Sequence, residues 1–162
     1  MQRLLAIVLL STSLLTGCSS DPPAQWGIEV NGEWLPVIDI HTHTGNWENM
    51  PPGFQARLSK RLPPGLGWMM QPFVDWNLST DNILAQMNNA GIYGAGVFAL
   101  YSPHTTGIAS NEFVAATIAG HTDRLYGFAS LRTDRWNQDS AEQLAALEKA
   151  LTELPGMVGI KL

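Results

Sequence analysis

The run Val37-Ile38-Asp39-Ile40-His41-Thr42-His43 is short, rich in β-branched residues, and ends in two histidines one residue apart. Side chains alternate across a strand, so Asp39, His41 and His43 are expected on one face and Ile38, Ile40 and Thr42 on the other. Residues i and i+2 are rooted roughly 7 Å apart, and both imidazoles can still lean onto one divalent ion at about 2.0–2.1 Å. Zinc suits such nitrogen donors, and an ion of this kind acidifies water for attack on an amide, ester or lactone carbon. Asp39, one alternation deeper, is a candidate to orient a ligand histidine from behind, with a purely structural hydrogen bond as the alternative. Surface or satisfied core histidines are the plainer reading of the pair.

The elements that must hold these residues follow from the downstream pattern. Thr80-Asp81 opens a helix that runs to Ala90 and closes at Gly91, and Gly94 to Leu100 then reads as a buried strand. Ser110 or Asn111 can cap a second helix to about Gly120, with Glu112 in its first turn, before a strand from Leu125 to Leu131. Asp139 or Ser140 starts a third helix to about Leu154, and Pro155-Gly156 leads into a strand from Met157 to Leu162. Strands alternating with helices predict an α/β fold with a parallel sheet.

Asp39-x-His41-x-His43 closing a first strand resembles the amidohydrolase superfamily, in particular the amidohydrolase-related branch that includes the aminocarboxymuconate-semialdehyde decarboxylases. Three later segments resemble the same branch in the same order: Asn82 to Ile92, His121-Thr122-Asp123-Arg124-Leu125-Tyr126-Gly127-Phe128-Ala129-Ser130-Leu131, and Gly159-Ile160-Lys161-Leu162. The resemblance implies a (β/α)8 TIM barrel, of which residues 36–162 supply about the first four strands and three helices. It implies a metal-dependent hydrolase with His41 and His43 as metal ligands and zinc as the expected ion. A metal-dependent decarboxylase of an aromatic or unsaturated acid is the alternative within the branch. The family's later histidines and its eighth-strand aspartate have no counterpart in the 162 residues, so the expectation is a truncated or split product of a longer parent. Lys161 falls where some binuclear relatives carry a carboxylated lysine bridging two metals, with a strand-end or substrate-side cation as the other reading.

Between Thr44 and Ser79 the chain holds Trp47, Phe54, Trp68, Phe73 and Trp76 among prolines and glycines. Connections longer than about 15 residues are commonly functional lids or disordered inserts, and aromatics argue against disorder. A lid over the metal site is therefore expected, with Trp47, Trp68 and Trp76 as an apolar wall for a flat small-molecule substrate and Arg57, Lys60 and Arg61 as carboxylate contacts. Packing of these aromatics onto the barrel rim explains them equally well. His104 follows the second strand of the alternation and is a candidate substrate contact or a solvated loop residue. His121, at a helix C-terminus, reads as structural.

At the N-terminus, Arg3, an apolar run from Leu4 to Leu10 and Leu15-Thr16-Gly17-Cys18 have the make-up of a secretory signal that is too short to span a membrane. The ending resembles a bacterial lipobox, which makes residues 1–17 the signal peptide and Cys18, the sole cysteine, the site of lipid attachment. The expected location is the bacterial cell envelope, lipid-anchored, on the periplasmic face of the outer membrane. Residues 18–35 read as a tether followed by a small hairpin around Asn31-Gly32. A formal net charge of -5 offers no electrostatic reason to expect nucleic acid. The competing class is a non-catalytic lipoprotein or binding module that self-associates through its exposed strand edges.

Overall fold

The computed structural model describes residues 26–161; Cys18, the signal and most of the tether, and Leu162, lie outside the described residues. The chain opens with an antiparallel hairpin, β1 (Ile28–Val30) and β2 (Glu33–Leu35), in which Ile28 faces Leu35 and Val30 faces Glu33. Asn31 at φ 54° and Gly32 at φ 83° form its turn, as an Asn-Gly pair with two positive φ angles does in tight hairpins. Arg124 lies 3.9 Å above the centre of the Trp26 ring, which fastens the start of this hairpin to the later part of the chain.

Four strands form the central sheet: β3 (Ile38–His43), β4 (Gly94–Phe98), β7 (Leu125–Ala129) and β8 (Met157–Ile160), all parallel and hydrogen-bonded in chain order. Between them, β5 (Leu100–Ser102) and β6 (Gly107–Ala109) make a separate antiparallel hairpin. The helices are α1 (Pro52–Ser59), α2 (Met70–Asn77), α3 (Thr80–Ala90), α4 (Asn111–Ile118) and α5 (Trp136–Glu153). The molecule is thus mixed α/β with a four-stranded parallel sheet in the order that the strand and helix pattern predicts.

Local chemistry explains the boundaries. The Ser79 hydroxyl accepts from the Asn82 N–H at 3.2 Å and the Ser110 hydroxyl accepts from the Phe113 N–H at 3.1 Å, so each satisfies an amide that the first helical turn leaves free. Gly91, at φ 68°, ends α3 in the left-handed conformation that glycine adopts without penalty. In α5 the backbone leaves helical geometry at Asp139, φ −144° and ψ 35°, so the regular helix runs from Ser140, where the sequence pattern starts it, and a short turn from Trp136 precedes the kink.

The core lies on one face of the sheet. Ala95, Val97, Ala99, Leu125 and Ala129 pack against Ile83 and Met87 of α3, Val114 and Ile118 of α4, and Leu147 and Ala150 of α5. Burial at roughly 25 cal/mol per Å2 of apolar surface makes this the main source of cohesion. Among the described residues, nothing pairs with either edge of the sheet. Ile38 and Ile40 on β3, and Val158 and Ile160 on β8, are exposed, Ile40 to 71%. No helix among the described residues is long and apolar enough to cross a membrane.

Two elements differ from the sequence-based expectation. The stretch from Thr44 to Ser79, expected as a long loop, folds into α1, a 3-10 turn over Gly67–Met69, and α2. Pro52 can start α1 because the first helical position needs no N–H, while the short segments and frequent prolines hide any sustained helical period. The buried strand ends at Phe98, four residues before the β5–β6 turn, and the loop expected after it is the hairpin around Pro103-His104-Thr105-Thr106.

A candidate metal centre and its adjoining cavities

His41 and His43 stand at the C-terminal end of β3. Strict alternation does not survive there. Asp39 pairs with Ala95 and Thr42 with Val97, so Ile40 and His41 together occupy the place opposite Gly96. Such an extra residue is a β-bulge, which bends a strand and re-aims its side chains. Asp39 consequently falls in register with the core-side residue Ala95, while His43 falls in register with Phe98 on the other face. The Asp39 carboxylate accepts the His41 N–H at 2.9 Å and the Thr42 hydroxyl at 3.5 Å. It holds the bulge, and the imidazoles receive no bond from it.

The bulge brings the two rings together. Nε2 of His41 lies 3.1 Å from Nε2 of His43, and the ring centres are 5.0 Å apart in an edge-on arrangement. Two imidazole nitrogens on one tetrahedral zinc stand about 3.3 Å apart, given bonds of about 2.0–2.1 Å. The observed spacing matches within a few tenths of an ångström. In the absence of an ion, the same contact can be one ring donating to the other.

Phe98 supports both rings, with centroids 5.2 Å from His41 and 6.0 Å from His43. Phe98 is in turn packed edge-on against Phe128 at 5.1 Å. Space for the Phe128 ring comes from two glycines on the neighbouring strands. A Cβ on Gly96 would stand 2.9 Å from Phe128 Cε2, and one on Gly159 would stand 2.8 Å from Phe128 Cε1. Glycine at both places is thus a packing requirement that reaches the histidines through two aromatic rings.

Lys161, just past β8, places Nζ 4.6 Å from the centre of the Phe98 ring. A cation over an aromatic face is attracted by the ring quadrupole. Its charge is felt at the histidine pair: His43 is held below the ordinary imidazole pKa of 6.5, first by burial, then by Lys161 and His41. Neutral imidazole is the form that binds metal. Nδ1 of His43 is buried without a hydrogen-bond partner in the described structure. Among the described residues there is no cluster of three or more His, Cys, Asp or Glu side chains able to hold an ion. The described site is thus a pair of imidazoles, with Lys161 as the third polar group at the same end of the sheet.

A cavity of about 380 Å3 opens beside His43 and Lys161, walled by Met50, Phe54, Leu78 and Leu100. Its outer wall is held by long-range bonds. The Ile108 N–H donates to the Asn49 carbonyl at 3.0 Å, and the Thr44 hydroxyl donates to the Leu78 carbonyl at 2.9 Å. The Trp47 N–H donates to Asp75 at 2.7 Å. The β5–β6 hairpin and the start of the 44–79 segment are thus tied together around the opening.

The aromatic residues expected to wall the site are placed differently. Trp47, Trp68 and Trp76 do not line this cavity, and Trp68 and Trp76 are exposed to 72% and 57%. Folding of the segment into α1 and α2 turns these indoles outward, and Phe54 and Met50 provide the apolar wall instead. Lys60 lines a separate surface hollow between Ser59 and Gly67, and Arg61 is exposed. Arg57 and His104 meet across a second cavity that shares Phe54 and Thr106 with the first. His121 lies between α4 and β7, where its N–H donates to the Ile118 carbonyl at 2.9 Å, a structural place. The sequence pattern singled out Phe54 among the aromatics of this segment, but not Met50 or the β5–β6 hairpin. The turn-forming run Ser102-Pro103-His104-Thr105-Thr106-Gly107 between Leu100-Tyr101 and Ile108-Ala109 was the available signal for the hairpin.

No protein-family model matches the chain, and no curated protein aligns with it. Among solved structures, the chain is similar to a probable 2-pyrone-4,6-dicarboxylic acid hydrolase from Acinetobacter baumannii, crystallised with citric acid bound, at 17% identity and a TM-score of 0.44. The similarity covers 79% of this chain and 38% of that one.

Proposed function

We propose that this chain carries part of the active site of a metal-dependent hydrolase, with His41 and His43 holding a divalent ion, most suitably zinc. The observation that supports it is the 3.1 Å approach of the two Nε2 atoms at the C-terminal end of a parallel strand. Ligand and catalytic residues gather at that end of the strands in α/β barrels. A zinc ion there supplies Lewis acidity and a source of hydroxide near neutral pH. The chain's own residues do the rest of what can be assigned. Asp39 fixes the bulge that aims His41, Phe98 buttresses both rings, and Lys161 offers a positive charge to an anionic or polarised group of a substrate in the cavity. Closure of the four-stranded sheet into a full barrel, and the further ligands that a catalytic zinc requires, belong to the same proposal, with the chain spanning part of the whole protein. A lipid anchor at Cys18 would place the site at the cell envelope.

The test is metal binding by the full chain, read by isothermal titration with Zn2+ and by the visible spectrum of the Co2+ form. About one ion per chain, lost on His41→Ala and on His43→Ala with the fold retained by circular dichroism, is the expected result. Stoichiometric binding that both variants keep, or no binding by the native chain, overturns the assignment.

A further inference from the structure

Arg57 on α1 and His104 at the turn of the β5–β6 hairpin belong to elements far apart in sequence, yet both line one cavity of about 480 Å3, together with Phe54, Thr105 and Thr106. That cavity adjoins the apolar one beside His43, since Phe54 and Thr106 line both. The two chambers differ in chemistry. The inner one is walled by Met50, Phe54, Leu78 and Leu100, with Lys161 and His43 also in its lining. The outer one carries a guanidinium, an imidazole and two threonine hydroxyls and no carboxylate. Asp134, the acid whose charge interacts with His104, is already paired with Arg132 at 2.8 Å.

We propose that Arg57 and His104 form an outer subsite for an oxyanion, a carboxylate or a phosphate, at the far end of a molecule whose apolar part fills the inner cavity. Arg57 presents the planar fork of donors that matches both groups, and His104 and the threonines add single donors. The arrangement makes the protein select an amphiphilic acid over a neutral molecule of the same shape. This inference rests on the reading of the inner cavity as a substrate site, but the anion contact itself needs no metal.

The experiment uses the full chain without added metal and the n-alkanols, n-alkyl carboxylates and n-alkyl phosphates of matched chain length. Affinity is measured by isothermal titration, and the His104 ring signals are followed by NMR. Acids should bind about tenfold more tightly than the alcohols, the effect of one charge-assisted hydrogen bond, and should shift the His104 signals. Arg57→Ala should remove that advantage while leaving the alcohols unaffected. An advantage lost in Lys161→Met but kept in Arg57→Ala would put the anion beside the histidines and overturn the proposal. Inorganic phosphate that shifts His104 with no gain from an alkyl chain would mean a free-anion site unconnected to the inner cavity, and would overturn it too. Zinc titration of the same samples separates the two readings: loss of metal binding with the anion effect intact sinks the metal centre alone, and the converse sinks the subsite alone.

Discussion

The two faces of the parallel sheet are built on different rules. On the helix side, Val97, Leu125, Val114 and Ile118 are wholly buried in one cluster that joins the sheet to α3, α4 and α5. On the opposite side, Phe98 and Phe128 stack beneath the two histidines, and Ile40 on the edge strand stays mostly open. The covered face is a closed hydrophobic core, which gains stability from burial and tolerates no cavity. The open face holds polar groups whose hydrogen-bonding and coordination capacity is not used up by their neighbours. A sheet with neither edge paired among the described residues also offers unpaired backbone groups to another strand. Stability and chemistry thus sit on opposite sides of the same four strands.

The sharpest way to break this comparison is to truncate one apolar side chain on each face. Ile118→Ala should lose about 2–5 kcal/mol, as expected for a large buried residue whose site cannot collapse. Ile40→Ala, on the exposed edge, should stay within about 0.5 kcal/mol. Urea denaturation of both variants decides it, and a large loss for Ile40→Ala would mean that this edge is covered in solution. Sedimentation of the native chain against an Ile40→Lys, Val158→Lys double variant addresses the same point, with association falling in the variant if the edges are what pairs.

A smaller effect is expected where the two faces communicate. Gly96→Ala should cost about 1–3 kcal/mol, the range for overpacking a close-packed site, because the new methyl meets the Phe128 ring. It should also weaken zinc binding by displacing Phe98 from beneath the histidines. A destabilised variant with native zinc affinity would show that the aromatic relay does not position the ligands. On the covered side, Ser110→Ala removes the cap of α4 and should cost about 1 kcal/mol in the same denaturation assay.

The smallest expected effect is on pH dependence. His43 binds a proton less readily in the folded protein than at its ordinary value of 6.5. Above 6.5 the residue is neutral in both states and contributes no slope. As pH falls through 6.5 the unfolded chain takes up the proton first, so stability declines until the lowered native value is passed, and then levels off. Denaturation midpoints between pH 7.5 and 5 should show this decline in the native chain and a flatter profile in His43→Gln.

Much of the architecture was legible because its signals are local. Ser79 and Ser110 before their helices, Gly91 after one, and the Asn31-Gly32 turn each act within a few residues, through hydrogen bonds or backbone conformations that depend on residue type. The buried run Gly94 to Phe98 was equally readable, since all five residues of this inner strand are buried and small or apolar. The helices of the aromatic segment were hidden for the opposite reason: α1 and α2 are short, α1 is only weakly amphipathic, and bonds such as Trp47 to Asp75 join residues with no local relation.

By itself, the sequence determined the order of the four parallel strands and the three helices between them after Ser79, the ends of those helices, the parallel character of the sheet and the identity of the two histidines as the chemically interesting pair. Only the tertiary structure decided that the histidines converge to 3.1 Å, because that rests on a bulge set by the register of β3 against β4. It also moved Asp39 from the imidazoles to the backbone of the bulge, turned Trp68 and Trp76 outward, and brought Arg57 to face His104. Register and long-range juxtaposition are properties of paired segments, and a one-residue slip in pairing reverses the face of every side chain that follows.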